Sequence, residues 1–270
     1  MRVQDCRGSW ALITGASSGI GREFANQLAG AGWNLALVAR RRERLEATAA
    51  ELTGLHPVRV LVLAKDLIEP DAVPEIRARL HAEGIQVRLI CNCAAFGRWG
   101  RFEDSPARVY PEMIGLNAAA TVSLCAFFGE DLAAHPTSAV INVSSPAALQ
   151  PVPYMAVYAA TKAFVHSFSQ ALYGEWKSRG VTVQTLVPGP TATEFDSLAG
   201  AYETRLPERD SPIDVVRASL ARLERGEPLC VPAKGTWKQT LFAALFPSKL
   251  VIDRVGRMFL PPADQHPRVG

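Results

Sequence analysis

The 270-residue sequence predicts an α/β fold: a single domain built on a doubly wound parallel sheet of about seven strands. Three observations carry this expectation. Short apolar runs alternate with amphipathic segments of helical length along most of the chain. A glycine-rich turn follows the first apolar run. Small, polar and charged residues recur where the runs end, and ligands bind at that edge of such sheets.

Residues 10–14 (Trp-Ala-Leu-Ile-Thr) read as a buried strand. Gly15-Ala16-Ser17-Ser18-Gly19-Ile20-Gly21 follows and opens a helical pattern through Phe24, Leu28 and Ala31. A glycine-rich turn between strand and helix lets backbone N–H groups approach a phosphate; a tight structural turn is the alternative. Asn34–Ala39 is the second strand and runs into Arg40-Arg41-Arg42. In dinucleotide-binding folds the residue at this strand's end meets the adenosine ribose, and an acidic one takes the 2′-hydroxyl of NAD. Here Ala39 is followed by Arg40, and a guanidinium suits a 2′-phosphate. NADP(H) is therefore expected, against the alternative of a solvated basic start to the helix over 42–53.

Val58–Leu63 is a third strand, closed by Lys65-Asp66-Leu67, and an amphipathic helix covers 71–83. Val87–Asn92 is the fourth, followed by Cys93-Ala94-Ala95-Phe96-Gly97, where small residues would let a cofactor lie against the backbone. A helical stretch over 107–134 carries Asn117. Asparagine is unfavourable within a helix and marks an internal hydrogen bond or a functional kink. Ser138–Val143 is the fifth strand, ending in Ser144-Ser145. A helix reaching about Arg179 carries Tyr158 and Lys162, and Val181–Val187 is the sixth strand, ending in Pro188-Gly189-Pro190-Thr191.

Composition excludes several classes. The hydrophobic fraction of 48% against 20% charged residues is enough for a sizeable core. No apolar run of about 18 residues stands out, so no membrane span is expected, and Met1–Trp10 lacks the apolar region of a secretory signal. The five cysteines (Cys6, Cys91, Cys93, Cys125, Cys230) and five histidines are scattered, so no metal site is expected and a reducing, cytoplasmic setting fits. Residues 234–270 hold six Lys/Arg against two Asp/Glu, leaving the remaining body near neutral. That is no broad basic face, so no nucleic-acid partner is expected.

Tyr158 and Lys162 stand four apart at the start of a helical pattern, so phenol and ammonium project side by side. A cation beside a phenol stabilises its ionised form. A tyrosine tuned in this way exchanges protons with a carbonyl or alcohol oxygen near neutral pH. A partly buried Tyr beside a surface Lys is the bland alternative.

Together these residues resemble the short-chain dehydrogenase/reductase family, whose fold is of the Rossmann type. The resemblance covers about residues 8–232. It rests on Thr14-Gly15-x-x-x-Gly19-x-Gly21, Asp66, Asn92-x-Ala94, Asn117, Ser145, Tyr158-x-x-x-Lys162 and Pro188-Gly189. It implies that Tyr158 is the general acid/base and that Lys162 binds the nicotinamide ribose and lowers the tyrosine pKa. Ser145 would bond the substrate carbonyl, with Ser144 the fallback, and Asn117 would hold a helix kink and a water leading from Lys162. Gly15, Ser17, Ser18, Gly19, Ile20 and Gly21 would surround the pyrophosphate. Asp66 and Leu67 would contact adenine, while Asn92 and Ala94 would support the central strand and ribose. Pro188, Gly189, Thr191 and Thr193 would flank the nicotinamide, and Arg40 stands where NADP-preferring members carry a basic residue. The chain departs from the family in Cys93 and Ala95, and in Pro146 and Ala148 after the serine.

The expected activity is NADP(H)-dependent interconversion of a small hydrophobic ketone or aldehyde and its alcohol. A non-catalytic NADP(H)-binding regulator on the same fold is the alternative, which has no need of the whole Asn117/Ser145/Tyr158/Lys162 set. An apolar pocket is expected between a lid over Thr191–Pro212 (Phe195, Leu198, Tyr202, Leu206) and Phe96, Trp99, Phe102, Val152, Tyr154 and Met155. Residues 234–270 form a basic amphipathic tail. Trp237, Leu241, Ala244 and Leu245 keep helical spacing, Pro247 interrupts, and Leu250, Val251, Val255, Met258 and Phe259 resume it. Such a tail fits packing on domain 1–233, on a partner subunit, or on a membrane surface. The resemblance implies a homodimer or homotetramer through helices within 107–134 and 156–179.

Overall fold

The computed structural model describes residues 1–200, 209–232 and 245–261. Its centre is a seven-stranded, wholly parallel sheet in the order β3-β2-β1-β4-β5-β6-β7. The strands are β1 (Trp10–Thr14), β2 (Asn34–Ala39), β3 (Val60–Ala64), β4 (Val87–Asn92), β5 (Ser138–Val143), β6 (Val181–Leu186) and β7 (Leu229–Cys230). The helices are α1 (Gly19–Gly30), α2 (Arg42–Leu55), α3 (Ala72–Ala82), α4 (Val109–Ile114), α5 (Ala120–Ala133), α6 (Ala156–Trp176), α7 (Phe195–Ala199), α8 (Pro212–Glu224) and α9 (Ser248–Phe259). The strand β3 begins two residues later than expected because the Val58 N–H turns back to His56 O, and the ladder to β2 opens at Arg59.

Alternation along the central strands sends successive side chains to opposite faces. Ala11 and Ile13 join Phe24, Leu28, Trp33 and Val216 on one side of the sheet. Leu12 and Ile90 join Ile76, Leu80, Leu124 and Phe128 on the other. Chain order reverses between β1 and β4, which opens a crevice at their carboxyl ends.

The helical stretch expected over 107–134 is present but broken in character. Gly115–Ala119, between α4 and α5, is a π-helical turn with Asn117 at its middle. Asn117 Nδ2 donates to Phe96 O (2.9 Å) and Thr161 Oγ1 (3.1 Å), while the Phe96 N–H donates to Asn117 Oδ1 (3.0 Å). The asparagine thus marks a π-helical turn, and its side chain bonds outside its own helix, to the Phe96 backbone and to Thr161. Contrary to the sequence expectation, Val109–Ala133 is long and apolar enough to cross a membrane, but more than half of its most apolar stretch is buried. Its apolar character serves the contact with the sheet.

The tail meets the domain. In α9, Val251 and Val255 are buried beside Trp99, Met113, Val152 and Met155, with Phe259 packed against the same cluster. Trp99 Nε1 donates to Phe259 O at 2.8 Å. Trp237, Leu241 and Ala244 of the tail, and Tyr202 and Leu206 of the lid, lie outside the described residues.

Candidate active site

One cleft of about 460 Å³ runs along the carboxyl edge of the sheet. Its first wall is the turn after β1. Gly15 has φ +66°, and a Cβ there would meet the Ala94 backbone at 3.0 Å. The backbones are held this close by Thr14 Oγ1, which accepts from the N–H groups of Cys93 (3.0 Å) and Ala94 (3.1 Å). A Cβ on Gly21 would fall 2.5 Å from Gly15 O. These glycines keep a bare backbone cradle at the start of α1, which suits a phosphate-bearing ligand. Gly21→Ala is expected to cost about 1–3 kcal/mol, because the overlap is with backbone that cannot step aside. A thermal melt checks this; an unchanged midpoint would mean that the turn relaxes freely.

Basic groups border the cradle. Arg41 Nη2 donates to Ser17 Oγ (3.0 Å) and Ser18 Oγ (2.9 Å). Arg40 is more exposed and lies 3.7 Å from Asp66 Oδ2. Asp66 Oδ1 accepts from the Ile68 N–H at 3.1 Å, which fixes the turn where Asp66 and Leu67 line the cleft.

The middle of the cleft holds Ser145, Tyr158 and Lys162. Tyr158 and Lys162 project from the first two turns of α6, and both are buried. Lys162 Nζ donates to Val143 O at 2.9 Å and stands 5.8 Å from the centre of the Tyr158 ring. Ser145 Oγ accepts from the Ala147 N–H at 3.2 Å, and its hydroxyl is the neighbour that holds the Tyr158 phenol pKa down. Ser144 donates instead to Lys162 O (2.9 Å), anchoring β5 to α6. Ser145, not its neighbour, is therefore the hydroxyl beside the phenol.

Electrostatics in the site differ from the sequence expectation. Burial pushes the Tyr158 phenol up to about 12; the Ser145 hydroxyl opposes this and nearby Asp196 adds to it. Burial likewise pulls Lys162 down to about 8. Desolvation is the largest cause of both shifts, because surroundings that exclude water disfavour both charged forms.

The far end is apolar, lined by Phe96, Val152, Met155, Phe195 and Leu198, and closed by Met258 and Phe259 of α9. Phe195 lies 5.1 Å, ring to ring, from Tyr158. Three expected pocket residues fall elsewhere. Tyr154 does not line the cleft. It holds an unusual φ of +67° and packs behind the wall, its carbonyl accepting from the Gly100 N–H (3.0 Å). Trp99 is buried under α9, and Phe102 stacks on Tyr110 in solvent.

The remaining expected residues divide in two. Gly15, Ser17, Ser18, Gly19, Ile20, Gly21, Arg40, Ala94, Pro188, Gly189, Thr191 and Thr193 all line the cleft. Asn92 and Asn117 stand behind it. Asn92 Nδ2 donates to Asn142 Oδ1 at 2.8 Å, tying β4 to β5. Sequence reasoning missed Arg41, Glu194 and Met258 as lining residues. The arginine run contained the first and the apolar spacing of the tail the third, whereas Glu194 carries no local signal.

A doubly wound sheet with a glycine cradle at its switch point and a buried Tyr–Lys pair beside it defines a nucleotide-binding α/β protein. A family model described as short chain dehydrogenase matches residues 9–203, and the chain belongs to that family. It is 31% identical over 196 residues to very-long-chain 3-oxoacyl-CoA reductase of Anas platyrhynchos, covering 71% of this chain but only 62% of that protein. It is 30% identical over 193 residues to 7beta-hydroxysteroid dehydrogenase of Collinsella aerofaciens, covering 72% and 73%. A solved short-chain dehydrogenase from Sphingobium yanoikuyae in complex with NADPH aligns with a TM-score of 0.79 at 33% identity, over 89% of this chain and 97% of that one.

Proposed function

We propose that this protein is an NADP(H)-dependent oxidoreductase interconverting a bulky, hydrophobic ketone or aldehyde and its alcohol. The observation that carries the reading is the single cleft joining a phosphate cradle, the Ser145/Tyr158/Lys162 group and an apolar end. Gly15, Ser17, Ser18, Gly19, Ile20 and Gly21 would hold the pyrophosphate, Asp66 and Leu67 the adenine, and Arg40 with Arg41 the 2′-phosphate. Lys162 would hold the nicotinamide ribose, with Pro188, Gly189, Thr191 and Thr193 against the ring. When bound, the nicotinamide supplies or accepts a hydride.

The chain's own residues do the rest. Tyr158 gives its phenolic proton to the carbonyl oxygen, or takes one from the alcohol. Ser145 Oγ–H bonds the same oxygen and orients it. Asn117 fixes Phe96 in the wall and ties the π-helical turn to Thr161 of α6. The relatives named for acyl-CoA and steroid substrates support a large apolar substrate.

Exposed Ile114, Phe127 and Phe164 on α4, α5 and α6 support a homodimer through those helices. Five free cysteines support a cytoplasmic setting.

The test follows nicotinamide oxidation with NADPH or NADH against long-chain and polycyclic ketones. The expected result is a kcat/KM with NADPH about tenfold or more above that with NADH, the scale of a charge-assisted contact. Equal use of both cofactors would remove the NADP(H) assignment, and no turnover of any ketone would remove the reaction.

A further inference from the structure

Thr193, Glu194 and Phe195 are consecutive, yet they land on three parts of the cleft. Thr193 covers the glycine turn, its Cγ2 3.1 Å from where a Cβ on Gly19 would stand. Phe195 stacks obliquely against Tyr158. Between them, Glu194 reaches the basic border. Its Oε2 accepts from Arg41 Nη1 (2.9 Å) and its Oε1 from Arg44 Nη1 (2.6 Å). Arg41 spends its other nitrogens on Ser17 and Ser18. Two guanidiniums, one of them held by the Ser17 and Ser18 hydroxyls, thus form an oxyanion site whose anion is a carboxylate from the chain itself. The arginines hold the Glu194 carboxyl below its usual range.

We infer that Glu194 competes with a nucleotide 2′-phosphate for Arg41 and Arg44, and so sets how strongly the cleft discriminates between 2′-phosphorylated and unphosphorylated nucleotides. The inference rests on the NADP(H) reading of the same cleft. Carboxylate and phosphate oxygens take the same guanidinium donors. A phosphate carries three such oxygens and a higher charge, so it can replace Glu194 on both arginines. A nucleotide with a free 2′-hydroxyl has no anion to put there and leaves Glu194 paired. Arg44, a turn beyond Arg40, thereby joins Arg40 and Arg41 as a specificity-determining residue; Arg40 itself lies 3.7 Å from Asp66.

The test is calorimetric binding of 2′,5′-ADP and 5′-AMP, two probes that cannot undergo the reaction. Wild type is expected to prefer 2′,5′-ADP. Glu194→Gln should tighten 2′,5′-ADP by roughly three- to tenfold, the scale of a partly exposed ion-pair network, and leave 5′-AMP within about twofold. Glu194→Asp, which keeps the charge on a shorter stem, should fall between. Arg44→Gln should weaken 2′,5′-ADP selectively. If wild type prefers 2′,5′-ADP but Glu194→Gln leaves that affinity unchanged or lowers it, the competition is refuted and the NADP(H) reading stands. If Arg44→Gln leaves 2′,5′-ADP binding untouched, the inference likewise fails. Wild type binding both probes equally would overturn the NADP(H) reading and this inference together. Glu194 is partly exposed, so its replacement does not threaten the fold.

Discussion

Tyr158→Phe is expected to lower kcat for ketone reduction by about 10²–10⁴-fold, the usual worth of a positioned proton donor. Dinucleotide affinity and thermal midpoint should hardly move. The substitution removes one oxygen and keeps the ring, so the contact with Phe195 survives. What disappears is the only phenol among the cleft-lining residues described. With the phenol raised to about 12, the proton stays on oxygen across the neutral range and is there to be given away. The reduction rate should therefore show no fall from phenol ionisation below about pH 10. Steady-state rates over pH 6–10, with nucleotide titration by fluorescence as the control, check the prediction. Turnover of the variant within tenfold of wild type would leave the reaction without its named donor.

Lys162→Met should abolish nearly all turnover and at the same time make the protein more stable near pH 7. The ammonium is buried, and its pKa falls from 10.5 to about 8. Such a shift corresponds to a burial cost on the order of 3 kcal/mol. Methionine has similar length and no charge. Leaving Val143 O without its donor gives back about 1 kcal/mol or more. The net gain is therefore about 1–2 kcal/mol.

The pH dependence fixes the sign. Between about pH 8 and 10.5 the unfolded chain holds the lysine proton and the folded one has released it, so wild-type stability rises with pH across that window. Below about pH 8 both states are protonated and the full cost is felt. In urea unfolding, the advantage of Lys162→Met should thus be largest at pH 7 and should shrink steadily towards pH 10. Parallel stability curves for the two proteins would show that the ammonium is not desolvated in solution. Gained stability with lost activity is the pattern of a residue retained for chemistry.

Much of this site is legible in the sequence because its signals are local. The glycine spacing after β1, the i,i+4 placement of Tyr158 and Lys162, and the polar residues at strand ends each follow from a few neighbouring residues. The remainder depends on distance in the chain. Glu194 meets Arg41 and Arg44 across about 150 positions, and no periodicity announces that meeting. The i,i+4 ammonium predicts an acidified phenol; burial reverses the direction, and burial belongs to the whole fold. Tyr154 is expected in the pocket wall together with Val152 and Met155, whereas it packs behind that wall with a φ of +67°. Apolar spacing located α9, but only the packing of Val251 and Val255 shows that it closes the cleft.

The wide turn at Gly115–Ala119 also works as a phase shifter. A regular helix advances about 100° per residue, so one additional residue in a turn re-aims everything beyond it by about that angle. Met113, ahead of the turn, faces the cluster under α9, while Leu124 and Phe128, after it, face the sheet. One rod therefore serves two differently oriented walls without a loop. Length variation that exposed connections absorb freely is barred here. Losing a single residue would swing one half out of register and pull Asn117 off Phe96.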